Sequence, residues 1–346
     1  MAYPSKADVQ KSDPTASERK KDHIDLAFRS KIAHSDIDQR FYYEPMLASH
    51  PSDCANLETE FLGKSFKAPI WVSSMTGGTA LARIINKNLA IACGEFGLGM
   101  GLGSCRQLLY SDEYLEDFNI RKYMCDQPLY INLGIAQIEH LFEIKQTERI
   151  HELIKKLDAD GLIIHVNPIQ EWLQPEGDSF KRPPIETVKR MLDLANYKII
   201  VKEVGQGMGP ASLKSLLSLP IEALDFAANG GTNFALLEIL RSSEIKKDNY
   251  SKLSHLGHSA EEMISFVNEI YKDSPSSIMC KQIIVSGGVA DFLDGYYYIQ
   301  KSKLPAIYGQ ASGFLKYAME SYEILQNYVK LQINGLSLAK AYLTVK

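Results

Sequence analysis

The chain has 346 residues, of which 45% are apolar and 23% charged, with a formal net charge of −4. That balance excludes the basic footprint of a nucleic-acid or anionic-membrane binder, and no apolar run reaches the roughly 18 residues of a membrane span. A polar N-terminus without a secretory core, and five cysteines (Cys54, Cys93, Cys105, Cys125, Cys280) without C-x-x-C spacing, give the expectation of a cytoplasmic protein with reduced thiols.

Residues 1–17 are rich in Ser, Lys, Asp and Pro and read as a flexible arm ahead of a single domain over 18–346. Ser17-Glu-Arg-Lys20 has the pattern of a helix start, and an apolar spacing near 3.6 carries this N-terminal extension to Phe28. From about residue 68, apolar runs alternate with helical patterns. The runs cover 68–75, 97–104, 128–134, 161–167, 198–204, 223–228, 282–288 and 306–312. The clearest helical patterns between them cover 79–96, 147–157, 185–195, 211–217 and 259–271, and a closing one starts near Phe314. Eight β units without a second domain boundary predict an α/β fold, a closed (β/α)8 TIM barrel with its core over about 68–330. The polar stretch 241–257 reads as a mobile excursion.

A barrel of this kind places its reactive groups at the C-terminal strand ends. Those ends read Ser73-Ser-Met-Thr-Gly-Gly78, Gly103-Ser-Cys-Arg106, Asn132-Leu-Gly134, His165-Val-Asn-Pro-Ile-Gln-Glu171, Val201-Lys-Glu-Val-Gly205, Ala228-Asn-Gly-Gly-Thr232, Ser286-Gly-Gly288 and Tyr308-Gly-Gln-Ala311. The fourth is the richest. His165 and Asn167 fall on one strand face at period two, and Gln170 and Glu171 follow on the expected loop, offering acid, donor, acceptor and metal-ligand chemistry together. The last three ends are glycine-rich and free of acidic residues, which suits a phosphate cradled by backbone N–H groups. Lys202 interrupts an apolar strand, where an unpaired ammonium is costly, and so points to an anionic ligand, to developing negative charge, or to a salt bridge from another strand. Glu203 beside it faces the other way. Gly205-Gln-Gly-Met-Gly209 fails as a dinucleotide fingerprint, because Pro210 stands at its last position.

Together with Arg19-Lys-Lys-Asp-His-Ile24 and Gln174-Pro-Glu-Gly-Asp178, these motifs occur in the order found in type 2 isopentenyl-diphosphate isomerases, FMN-dependent TIM barrels, which the chain resembles over about residues 17–335. The resemblance implies interconversion of isopentenyl and dimethylallyl diphosphate with reduced FMN, Mg2+, and NADPH as reductant, in a homo-tetramer or homo-octamer. It implies that Ser74, Met75 and Thr76 pack on the flavin, that Ser104 and Asn132 bind it, and that Lys202 faces its ring or ribityl chain. Thr232, Gly287, Gly288, Gln310 and Ala311 would hold its phosphate end. Arg19, Lys20, Ser104 and Arg106 would grip the substrate diphosphate, supported by His23, His165 and Asn167, while Glu171 binds Mg2+. Gln170, nearest the isoprenoid carbons, and His165 would be the catalytic residues. Cys105, Asn229 and Ala290 stand where the family usually has Gln, Gly and Arg. The alternative is an FMN barrel oxidoreductase, for which Cys105 would be the strand-end nucleophile.

Overall fold

Eight short parallel strands can close into a barrel only if their inward side chains fill the axis without colliding. In the computed structural model, which describes residues 15–51 and 57–346, they do so by setting large residues beside glycines. The strands are β1 (Ile70–Val72), β2 (Gly99–Ser104), β3 (Leu129–Gly134), β4 (Gly161–His165), β5 (Lys198–Lys202), β6 (Ala223–Asp225), β7 (Ile283–Ser286) and β8 (Ala306–Gln310). They form one closed barrel in chain order, with β8 pairing β1 through Gly309 and Trp71. All eight lie inside the runs predicted from sequence. Trp71 is level with Gly99, and Tyr130 with Gly161. A Cβ on Gly99 would sit 2.5 Å from the Trp71 ring, and one on Gly161 2.7 Å from the Tyr130 ring.

Inward and outward positions alternate, apart from a register shift in β2 between Gly101 and Ser104. Trp71, Tyr130, Ile163, Ile200, Ala223, Ile284 and Ile307 form a fully buried layer across the axis. Below it, an antiparallel hairpin of Thr59–Phe61 and Lys64–Phe66 pushes Phe61, Leu62 and Phe66 into the same cluster. The Leu62 N–H donates to Gln282 Oε1 at 2.7 Å, and Lys198 Nζ donates to the Leu62 carbonyl, so the hairpin is fastened to the N-terminal ends of β5 and β7. The barrel therefore has an apolar floor. Two residues further along six of the strands the inward positions become polar, as Ser73, Asn132, His165, Lys202, Asp225 and Ser286.

Three expectations are corrected. Gln170 and Glu171 are not on a loop; they belong to the helix Pro168–Leu173, which starts on proline, the residue whose missing N–H a helix start does not need. The stretch 241–257 is not an excursion. It folds as the helix Glu244–Tyr250 and the 3-10 turn Ser251–His255, tied down by Asn233 Nδ2 to the Ser254 carbonyl and by Gln206 Nε2 to the Leu253 and Leu256 carbonyls. The closing pattern is two helices, Ser312–Ala318 and Tyr322–Tyr342, the second capped by Ser321.

Contacts divide the chain into two compact units, the barrel unit Tyr43–Val345 and the N-terminal segment through Tyr42 with Lys346. Within the smaller unit, the helix Ala16–Leu26 buries none of its residues and carries Arg19, Lys20 and His23. Farther on, Arg40 forks onto the Asp38 carboxylate and holds it below the usual carboxylate range. Most of the expected arm, and Cys54, lie outside the described residues. The other four cysteines are free thiols, and no helix among the described residues is long and apolar enough to cross a membrane.

Candidate active site

The polar layer above the floor forms a row across five strands. Asn132 on β3, His165 on β4, Lys202 on β5, Asp225 on β6 and Ser286 on β7 share the inward face, with Lys202 level with both His165 and Asp225. The His165 Nδ1–H donates to Asn132 Oδ1 at 2.7 Å, which leaves Nε2 as the unprotonated nitrogen. Lys202 Nζ donates to the Glu203 carbonyl at 2.6 Å. Ser286 Oγ donates to Asp225 Oδ1 and accepts from the Ala227 N–H at 2.9 Å. The Glu203 carboxylate faces away from Lys202, as its strand position requires. Its Oε2 gathers the N–H groups of Gly205, Gln206 and Gly207 at 2.7, 2.6 and 3.0 Å, and so shapes the loop after β5.

Burial, and after it the Lys202 charge, push His165 down to about 3 from 6.5. The resemblance implied that His165 supports the diphosphate and takes part in catalysis. A neutral ring there orients Asn132 and offers an acceptor, and contributes no positive charge. The unfolded chain takes up a proton below pH 6.5 that the folded ring refuses until about pH 3. Stability from this group is thus complete above pH 6.5 and is lost as pH falls toward 3, by up to about 1.4 kcal/mol per pH unit. Urea titrations of His165→Asn should show a shallower acid limb than wild type in that window; an unchanged limb would contradict the assignment.

Two cavities meet over this row, of about 260 and 270 Å3, sharing Ser74, Lys202, Val204 and Phe234 as a common wall. The first is lined by backbone. Gly230, Gly287 and Gly288 have φ of +108°, +85° and +71°, and a Cβ on Gly230 would come within 3.0 Å of Gly288 Cα. The loops after β6 and β7 therefore approach main chain to main chain, and make the amide-lined concavity that receives anions. Thr232, Gln310 and Ala311 complete its rim. Gln310 serves mainly as a brace: its Nε2 donates to the Val289 and Ala290 carbonyls, each at 3.1 Å, and its Oε1 accepts from Tyr328.

The second cavity collects side chains: Met75, Ser104, Arg106, Asn132, His165, Asn167, Gln170 and Glu171. Asn167 organises it, its Nδ2 donating to Gln170 Oε1 at 3.0 Å and to Glu171 Oε1 at 3.1 Å. Glu171 Oε2 accepts from the Asp178 N–H at 2.7 Å. Arg106, half exposed, pairs with Asp178 at 3.0 Å, and Gln137 donates to the same oxygen at 3.1 Å. Thr76 lines neither cavity; its carbonyl accepts from Asn86. Arg19, Lys20 and His23 belong to the other unit.

Sequence reasoning missed Ser73, Asp225 and Ser286 as inward groups. The signal for Asp225 was present: it is the one carboxylate within the apolar run 223–228, two residues from the floor residue Ala223. Among the described residues no group of three or more His, Cys, Asp or Glu could hold a metal by itself. A larger, mostly apolar hollow of about 630 Å3 lies outside the barrel near Phe180, Ile185 and Leu216, but it holds none of the row. Chemistry, not size, selects the paired cavities.

The pair fits a flavin mononucleotide on two grounds. Ser73 Oγ, Ser74 Oγ and Asn167 Oδ1 are buried without a hydrogen-bond partner, which is costly unless a ligand or water completes them. In the first cavity the loops after β6 and β7 form a glycine cradle lined by main chain. Cys105 fits no nucleophile: it is fully buried, and burial pushes its thiol up to about 12.

No family model matches the chain. It is 33% identical over 325 residues to the isopentenyl-diphosphate delta-isomerase of Rickettsia africae (strain ESF-5), covering 93% of this chain and 92% of that protein. With the Rickettsia prowazekii (strain Madrid E) protein of the same name, identity is 32% at the same coverage. Among solved structures it is similar to a flavocytochrome b2 variant with pyruvate bound (TM-score 0.58, 11% identity, 87% of this chain and 72% of that one). A mandelate oxidase variant with a monooxide FMN adduct gives a TM-score of 0.53 at 11% identity, over 89% and 88%. At such identities the solved structures speak for the fold alone.

Proposed function

Because this chain belongs to the isopentenyl-diphosphate delta-isomerase family, we propose that it interconverts isopentenyl and dimethylallyl diphosphate as a type 2 enzyme, with reduced FMN in the paired cavities and Mg2+ brought in with the diphosphate. The observation that carries this reading is the division of labour between the cavities: an amide-lined anion cradle on one side, Arg106, Gln170 and Glu171 on the other, and Lys202 in the shared wall.

The reaction moves one proton across an allylic system with no net redox change. Reduced FMN, when bound, supplies an electron-rich ring and an exchangeable proton. The protein's part is to bind and orient. Gly287, Gly288, Thr232 and Ala311 hold the cofactor phosphate, with Gln310 bracing the loops behind them. Ser74, Met75, Ser104 and Asn132 line the flavin's seat, and Lys202 offers it an ammonium. Arg106 takes the diphosphate as it now takes the Asp178 carboxylate, by charge-assisted hydrogen bonds. Glu171 would offer a carboxylate to Mg2+, an ion that takes carboxylate, phosphate and water oxygens. Asn167 fixes Gln170 and Glu171 relative to each other, which sets the hydrocarbon tail beside the Gln170 amide. Neither that amide nor the neutral His165 is an acid at neutral pH, so these side chains position the alkene and do not protonate it.

Anaerobic incubation of isopentenyl diphosphate with the purified protein, FMN, NADPH and Mg2+, omitting each in turn, tests the reading. Dimethylallyl diphosphate should form only in the complete mixture. Product formed equally well without flavin would overturn the type 2 assignment, and flavin reduction with no product would favour an oxidoreductase.

A further inference from the structure

We propose that Asp225 is the counter-charge that fixes the Lys202 ammonium in the barrel mouth. The two residues are level on neighbouring strands and on the same inward face, where side chains of adjacent strands meet. Both are buried, Asp225 completely. Asp225 is also oriented: Ser286 Oγ holds its Oδ1, and that hydroxyl is held in turn by the Ala227 N–H, so the carboxylate cannot swing away. Its other oxygen, Oδ2, is buried and has no hydrogen-bond partner.

The other groups facing Lys202 do not supply the missing negative charge. His165, level with it on the opposite side, is neutral and hydrogen-bonded to Asn132. The Glu203 carboxylate is turned to three backbone N–H groups, and only the Glu203 carbonyl reaches Lys202. An ammonium has three N–H donors, and that carbonyl uses one. A buried carboxylate and a buried ammonium would each be costly alone. The two are not in direct ion-pair contact here, and Lys202 acts on Asp225 through its field. Burial raises Asp225 above the ordinary carboxylate range, and Lys202 is the first influence opposing it, which is the coupling the pair requires. Asp225 is thus a positioning residue, acting on bound ligands only through Lys202. Its use in holding that ammonium toward the cofactor rests on the FMN reading; the pairing does not.

The test is therefore made on the cofactor-free protein. Wild type, Asp225→Asn and Ser286→Ala are pulse-labelled with acetic anhydride at pH 8, and acetylation of Lys202 and Lys198 is read by peptide mass spectrometry. Lys198 begins the same strand and pairs with Glu222 at 3.1 Å, so it reports general loosening. With the carboxylate neutralised, the proton affinity of Lys202 drops. Its labelling rate should then rise about tenfold for each unit of that drop, with Lys198 unchanged, and Ser286→Ala, which keeps the charge, should stay within about twofold of wild type. An unchanged Lys202 rate in Asp225→Asn, or an equal rise at both lysines, overturns the proposal. FMN binding by wild type is measured alongside: its absence would count against the flavin reading and leave the labelling result to decide Asp225.

Discussion

Glu171→Gln is expected to fold and to lose turnover by a factor on the order of a thousand, about 4 kcal/mol of transition-state stabilisation. The substitution keeps the volume of a buried side chain. Of the two donors that Glu171 now satisfies, Asn167 Nδ2 and the Asp178 N–H, one would face an amide N–H, costing about 1 to 2 kcal/mol of stability. The larger loss is chemical. Among the described residues Glu171 is the sole carboxylate in the wall of the second cavity, so the Mg2+ of the proposed mechanism loses its only charged protein ligand there. Initial rates measured against Mg2+ concentration should show the activation midpoint moved up at least tenfold, with denaturant melts little changed. A variant with near-normal rate and the wild-type Mg2+ dependence would remove Glu171 from the metal's coordination.

Gly287→Ala should abolish tight FMN binding and weaken the fold at the same time. The φ of +85° is unfavourable for any side chain, and the new Cβ would lie 2.0 Å from the Ala228 carbonyl oxygen. Both obstacles are main chain, so no rotamer change relieves them. The loops after β6 and β7 must separate, and the concavity between them opens. We expect stability to fall by about 2 to 4 kcal/mol and FMN affinity by at least about a hundredfold, or about 2.7 kcal/mol. Gly288→Ala is the milder comparison: it carries the same left-handed strain, at φ +71°, but its Cβ would meet the Asn229 carbonyl oxygen at 3.0 Å rather than 2.0 Å. Isothermal titration with FMN on both variants decides the point. If Gly287→Ala bound FMN as tightly as wild type, the cradle would not be where the phosphate sits.

The barrel was readable because its strands are covered on both faces and so appear as unbroken apolar runs between turn signals. The strand ends were readable for the same reason: polarity returns where the run meets the mouth. What stayed hidden had other causes. Pro168–Leu173 is too short to show a helical period, and its proline reads as a breaker as easily as an N1 residue. The folding of 241–257 depends on hydrogen bonds from Gln206 and Asn233, which no local pattern records. Asp225 drew no reading from sequence, because only the register with Lys202 and the Ser286 hydrogen bond show it turned inward. The Arg106–Asp178 pair joins loops after different strands, and its meeting is a product of closure. The neutrality of His165 also depends on what surrounds it, not on its neighbours in sequence.

The hairpin beneath the barrel has a consequence for traffic. With Phe61, Leu62 and Phe66 pressed under Trp71 and Tyr130, the cup has no drain through its base. Under the proposed reaction, the two isomers share one doorway and one anchor for their diphosphates, and neither can leave behind the other. Each turnover then waits on a vacancy, and a rising pool of either isomer throttles flux toward the other through simple occupancy.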